Sequence, residues 1–591
     1  MEKGKHSKEN ALIVVAIDFG TTYSGWAYSV RQEFKDNHTN IKTKGGWKTG
    51  EGQATDKTPT VVLFTPDDKF HSFGYEAESK YAELVDDNEA TGWKYFKRFK
   101  MALFNDETSQ SGNQHRNLAT GKISKKQKLK DVNGNKLSSL MVVSECLKFL
   151  KKDFLKTLEE KVNFIEMKDI HWVVTVPAIW SDQAKQFMRL AANQAGIDDS
   201  HLSLAYEPEA AAIYCRDIMV QKKQDGEDTV MSSFDTGESF LVLDCGGGTV
   251  DITAYKIQEG NKLVELFPPT GGPWGGTEVD KQFQNLVEEI FGEDVWRGFE
   301  KSFMHDCLEF MRRFEGKKKN IGENNDDKMR IQFPRDLFDE YKTKTGVEFD
   351  LALGVKKVRD KLDFPIQKMK DLFEKPLNAT ADHVKELLGK SELDGLKTIL
   401  MVGGFSDSAL LYEKIKSSFP SLNVLRPHEA VLSVVKGAVI YGHTPEIIPE
   451  RVCARTYGIA CNIPFDPMKH PERLLGYYND RAMCTDSFQT IVKKGETILL
   501  GNKSFESTFL PTRGSDTEAT IDIYVSSDYN PLYTYGDSVT RLGSLLLRIP
   551  DTQKGKNRPI NVRISFQGTE IVVTAVEEGT NNIVSETFDS L

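Results

Sequence analysis

No run of apolar residues in the 591-residue chain approaches the roughly 18–20 that a membrane-spanning helix needs. The start does not read as an export signal either. Its apolar stretch 11–17 ends at Asp18, and the polar leader before it (MEKGKHSKEN) lacks a small-residue cleavage site. Seven cysteines, an odd number without a CxxC pair, argue against a disulfide framework and against a zinc site. Basic residues are not in surplus: 77 Lys and Arg stand against 87 Asp and Glu, a net charge of −10, which argues against nucleic acid as the partner. Two common phosphate-binding signatures are missing. Gly389-Lys390-Ser391 has Val384 where the first glycine of a GxxxxGK(S/T) loop belongs, and there is no GxGxxG fingerprint. The expectation is a soluble cytoplasmic protein with no membrane span.

The length predicts about three to five compact units of roughly 100–200 residues each, and 39% hydrophobic residues suffice to pack them. Two segments match each other: 14–30 (VVAIDFGTTYSGWAYSV) and 240–257 (FLVLDCGGGTVDITAYKI). Each has an apolar run of strand length, an Asp, a Gly/Thr-rich turn and a second strand-like segment. Any hairpin has turn glycines, so one DxGT would carry little weight. Two copies at half-chain separation predict two related lobes that each open with a strand–turn–strand.

The residue types suit phosphate. Turn glycines let the backbone approach a ligand closely, and their consecutive N–H groups converge on an anion. Thr21, Thr22 and Thr249 add hydroxyl donors. Asp18 and Asp244 would repel phosphate unless a cation lies between them, which a hydrated Mg2+ satisfies.

Further units fit the same cleft. The strand-like WVVTVP (172–177) precedes an expected helix capped by Ser181 or Asp182, and AYEPEAAA (205–212) places Glu207 before the helix-starting Pro208. TILMVGGF (398–405) reads as a strand running into Gly403-Gly404, with Ser406 or Asp407 capping the next helix, an anion site of the helix N-terminus type.

The order IDFGTTYSG, VTVPAIW, YEPEAAA, LDCGGGTVDI, GGTEVD and LMVGGFS resembles the nucleotide-binding domain of the 70-kDa heat-shock protein family over about residues 12–445. The wording around it (GWAYSV, YFKRFKM, RVCARTYGI) is most similar to the family's divergent heat shock 70 kDa protein 12 branch. The resemblance implies an α/β, actin-like ATPase fold. A flexible leader (1–11) would precede two duplicated ribonuclease-H-like lobes (about 12–238 and 239–447) that close over Mg–ATP. An all-β, substrate-binding-like domain (448–591) without a helical lid would follow.

It also implies roles for single residues, with ATP or ADP and Mg2+ as cofactors. Asp18 and Asp244 would hold the metal's water shell, while Glu207 and Asp251 complete the environment of the metal and the attacking water. Gly20, Thr21, Thr22, Tyr23, Gly246, Gly247, Gly248 and Thr249 would face the phosphates. Gly403, Gly404 and Phe405 fall on the α-phosphate and ribose side, and Glu315, Lys318 and Lys319 on the adenine and ribose side. Lys97 matches the lysine that orients the attacking water, with Lys100 its near competitor.

Departures from the family pattern carry information. Glu209 stands where Thr is usual, which puts extra acid near the cleft, and Lys185 stands where Arg is usual. The polar stretches 36–56 and 105–135 read as inserted loops. The family's acidic, leucine-rich interdomain linker has no counterpart in HTPEIIPERV (443–452). The first functional reading is an ATP-binding, slowly hydrolysing, chaperone-like protein whose β-domain engages protein partners. The alternative is a nucleotide-regulated scaffold or adaptor without a foldase cycle. A sugar or acyl kinase is disfavoured, since it leaves the C-terminal third unexplained.

Overall fold

The computed structural model describes residues 11–48, 54–104, 123–161, 165–218, 221–225, 228–232, 234–322, 327–478, 480–501, 504–568, 570–580 and 582–587. The expected leader lies outside them except for Ala11, as does 105–122 of the second expected insertion. Two compact units divide the chain, Met1–Ala254 with Thr270–Thr444, and Tyr255–Pro269 with Pro445–Leu591. Among the described residues no helix is long and apolar enough to cross a membrane.

In the first unit, strand β1 (Ile13–Phe19) is buried along its whole length. A β-branched apolar run suits a strand covered on both faces. It turns into the antiparallel β2 (Tyr23–Val30), with Asp18 opposite Gly25. Its other side pairs in parallel with β3 (Ile170–Val176), which pairs with β4 (Leu202–Tyr206). Ser181 caps helix α1 (Asp182–Gln194) as expected, accepting from the Ala184 N–H. Helix α2 (Glu207–Ile218) starts directly at the end of β4.

The second lobe repeats the scheme. β5 (Ser239–Cys245) runs into β6 (Val250–Gln258), and β5 pairs in parallel with β7 (Thr398–Val402). Asp18 and Asp244 are therefore the penultimate residues of equivalent strands. Helices α3 (Gly276–Phe291) and α4 (Met304–Lys318) lie between β6 and β7 in sequence. After β7 the chain differs from expectation: 404–407 forms a short 3-10 turn, and Ser408, not Ser406 or Asp407, caps α5 (Ala409–Ser418). The turn consumes the residues immediately after the glycines, so the helix starts later.

Helix α6 (Ala430–His443) packs against α2. A Cβ on Gly437 would fall 1.6 Å from the Ala210 carbonyl oxygen, so the two backbones approach as only glycine permits.

The second unit is built from strands. Its first sheet orders Leu475–Tyr478, β9 (Arg481–Val492), β8 (Thr456–Pro464), β11 (Glu518–Ser526) and β12 (Val539–Arg548). Its second orders β10 (Ser504–Phe509), β13 (Ile560–Gln567), β14 (Glu570–Glu577) and β15 (Ile583–Thr587). All these pairings are antiparallel. Val562 and Ile564 from one sheet and Ile523 and Leu545 from the other share one core, so the apolar residues that alternate in NVRISF (561–566) are the ones that point inward. A hairpin from 255–269 joins this unit, its strand Lys262–Glu265 pairing with Glu450–Val452.

Candidate functional site

The two glycine hairpins meet tip to tip. A Cβ on Gly247 would lie 2.0 Å from Thr22 Oγ1, so the second lobe's turn packs on the first lobe's threonines with no room for a side chain. A cavity of about 760 Å3 opens beside this contact. Asp18, Gly20, Thr21, Thr22, Tyr23 and Glu207 line it from the first lobe. From the second come Asp244, Gly246, Gly247, Gly248, Thr249, Glu315, Lys318, Lys319, Gly403, Gly404 and Phe405. The fold thus collects into one cavity residues that span nearly 400 positions of sequence.

Two expected residues stand elsewhere. Asp251 is buried behind the turn, where its carboxylate accepts from Thr249 Oγ1 at 2.8 Å and from the Ile179 N–H at 3.1 Å. Lys97 leaves the cleft altogether: its Nζ reaches Glu300 Oε1 at 3.3 Å on an exposed face. Lys100 is the lysine that turns inward, donating to Glu207 Oε1 at 2.7 Å and lying 5.1 Å from the Trp180 ring centroid. Arg98 explains the exchange. It adopts a left-handed conformation (φ 55°) between the strand Lys94–Lys97 and the 3-10 turn Phe99–Leu103, which reverses the facing of the following residues. Glu209 is fully buried and does not line the cavity, so the extra acid expected in the cleft is not there.

Asp18, Glu207, Asp244 and Asp251 crowd negative charge into a dry volume. Burial, followed by the neighbouring charges of Glu207, Asp251 and Asp18, pushes the Asp244 carboxyl well above the usual range. Burial likewise pushes Glu207 up to about 7, with Asp18 and Asp251 adding to the shift and Lys100 opposing it. Asp251 is also raised by burial, against its two hydrogen bonds. Such a cluster is relieved by a cation. Among the described residues no three His, Cys, Asp or Glu converge closely enough to hold a bare ion. Asp18, Glu207 and Asp244 on the cavity wall are oxygen donors of the kind that suit a hydrated divalent cation.

One buried atom points to an oxyanion. Thr22 Oγ1 has no hydrogen-bond partner although it is shielded from solvent, and a hydroxyl so placed is a donor awaiting an acceptor. At the far end of the cavity Tyr23 donates to Glu315 Oε2 at 2.9 Å, Lys318 pairs with Asp280 and Lys319 with Asp407. Sequence reading missed Lys57 and Arg312, which line the cavity, and Thr175 beside Asp18. Thr175 donates to Asp18 Oδ1 at 2.9 Å. Its signal was present, as the one hydroxyl in the apolar run WVVTVP beside the strand that carries Asp18.

A profile described as Hsp70 protein matches residues 14–463 of this chain. The chain belongs to the Hsp70 family. It is similar to Heat shock 70 kDa protein 12B of Homo sapiens, 31% identical over 643 residues, with 98% of this chain and 91% of that protein covered. Heat shock 70 kDa protein 12A is 32% identical over 642 residues in both Homo sapiens and Mus musculus, covering 99% of this chain and 92% of the relative. These similarities match the divergent branch expected from the wording around the motifs. As an Hsp70-family member the chain is an ATP-binding, chaperone-like protein of the ATPase class, and its mixed α/β first unit fits the actin-like fold.

Proposed function

We propose that the cavity binds Mg–ATP and hydrolyses it slowly, and that residues 448–591 engage protein partners. The observation that carries the nucleotide reading is the unpartnered Thr22 hydroxyl where two glycine hairpins face each other. In this reading Thr21, Thr22 and the N–H groups of 247–249 bind the phosphates, while Glu315, Lys318, Lys319 and Phe405 hold the nucleoside side. Asp18 and Asp244 hold the water shell of one Mg2+, which neutralises phosphate charge when bound. Lys100, rather than Lys97, orients the attacking water beside Glu207. Asp251 fixes the Thr249 hydroxyl through their 2.8 Å hydrogen bond. Positioning and electrostatics supply the catalysis, and no covalent intermediate is required.

The scaffold reading has one observation in its favour. Where the family's acidic, leucine-rich linker would lie, Pro445–Ile447 forms a 3-10 turn and Glu450–Val452 is a paired strand. A segment engaged in a sheet is a poor relay for nucleotide state.

Turnover of Mg–ATP by purified protein, with and without a denatured client, tests both readings. Client-stimulated turnover supports the chaperone cycle, and turnover indifferent to client supports the scaffold. If nucleotide binding and its Mg2+ dependence survive Asp18→Ala combined with Asp244→Ala, the cleft assignment is wrong.

A further inference from the structure

Lys57 lies beside the metal locus, and no motif marks it. Its Nζ is 2.5 Å from Asp18 Oδ2, with the two side chains only 11% and 7% exposed. Asp18 is held from both ends, since Thr175 donates to its other oxygen. The lysine is anchored by its neighbours, because the adjoining strand Thr58–Pro59 pairs with Tyr23 and Ser24 of the phosphate hairpin. Space for its stem comes from Gly25, the residue opposite Asp18 in the β1–β2 register; a Cβ there would lie 3.1 Å from Lys57 Cγ. Lys57 and Asp244 line the same cavity.

We propose that Lys57 is a resident cation of the nucleotide site, which supplies part of the charge neutralisation otherwise demanded of Mg2+ and makes nucleotide binding tolerant of metal removal. This rests on the cleft being a nucleotide site. The physical reason is proximity: a cation tethered by the backbone is in place before the ligand arrives, whereas a free ion must be captured with it. In a poorly solvated cleft, a charge a few ångströms away interacts far more strongly than in water.

The test is ADP affinity of the full chain, by calorimetry, in Mg2+ and in EDTA, for wild type, Lys57→Met and Lys57→Arg. Wild type is expected to weaken less than about tenfold on metal removal and Lys57→Met about 100-fold or more, with Lys57→Arg following wild type. Thermal melting of each variant checks folding. Equal metal dependence in wild type and a folded Lys57→Met overturns the proposal. So does a wild-type loss of about 100-fold in EDTA, whether or not the variant folds. If wild type binds no ADP under either condition, the nucleotide assignment itself fails and Lys57 loses its role with it.

Discussion

Lys100 Nζ donates to Glu207 Oε1 at 2.7 Å, joining residues 107 positions apart, and the lysine side chain is only 2% exposed. Glu207 lines the cavity, and the proposed role of Lys100 is to orient the attacking water beside it. Replacing Lys100 by Ala is expected to slow single-turnover ATP hydrolysis about 10²-fold, the cost of removing one preorganised electrostatic group. Lys97→Ala, which breaks only the exposed pair with Glu300, should stay within about twofold of wild type. The reverse ranking would return the role to Lys97.

The same pair makes stability depend on pH. The Glu207 carboxyl, at 4.5 when free, is pushed up to about 7 in the folded chain, chiefly by burial. A raised carboxyl keeps its proton longer in the folded state than in the unfolded one. Its stabilising contribution is therefore complete below the free value and lost as pH rises through the folded value. Glu207→Gln holds the group neutral throughout. In nucleotide-free thermal melts, the variant should gain on wild type between about pH 5 and about pH 8. A difference that does not change across that window would refute the burial argument.

Thr22→Val separates binding from folding. The hydroxyl makes no internal hydrogen bond, so its removal relieves an unsatisfied buried group and should leave the melting temperature unchanged or slightly raised. ADP affinity should fall by about tenfold if the hydroxyl meets a phosphate oxygen. Unchanged affinity would remove Thr22 from the ligand.

Gly437→Ala probes the crossing of α6 over α2. The new methyl would meet the Ala210 carbonyl oxygen at 1.6 Å, and overpacking of this kind costs about 1–3 kcal/mol or more. Urea denaturation followed by circular dichroism should show the loss. A variant as stable as wild type would mean that the helices separate freely.

In the second unit Arg558 is buried and donates to the carbonyl oxygens of Ile549, Gly514 and Gly555 at 2.5, 3.0 and 2.8 Å. Arg558→Leu strands three acceptors and should destabilise the unit by about 2–5 kcal/mol. Hydrogen exchange of the strands Glu518–Ser526 and Ile560–Gln567 is the direct measure, and unaltered protection would show that the carbonyls find water instead.

The local elements were largely legible, because hairpins and helix starts are written in a few adjacent residues. The runs ending in Asp18 and Asp244, the turn glycines after each and the Ser181 cap all read as they fold. The inward lysine was not legible in this way. YFKRFK offers Lys97 and Lys100 within four positions, and the facing of each depends on whether Arg98 continues the strand or turns left-handed. Packing decides that, and local propensity does not. The cap at Ser408 was missed for a related reason, since a single 3-10 turn shifts a helix start without changing its pattern.

By itself the sequence determined that the chain carries two copies of one strand–turn–strand unit, each with an aspartate ahead of its glycines, because that signal is short-range and repeated. Tertiary structure alone decided which lysines meet the buried carboxylates. Lys57 reaches the cluster from a segment no motif marks, and Lys100 from a 3-10 turn whose facing the sequence left open. Only folding brings a side chain from position 57 or 100 against carboxylates at 18 and 207, in a volume dry enough for that contact to matter.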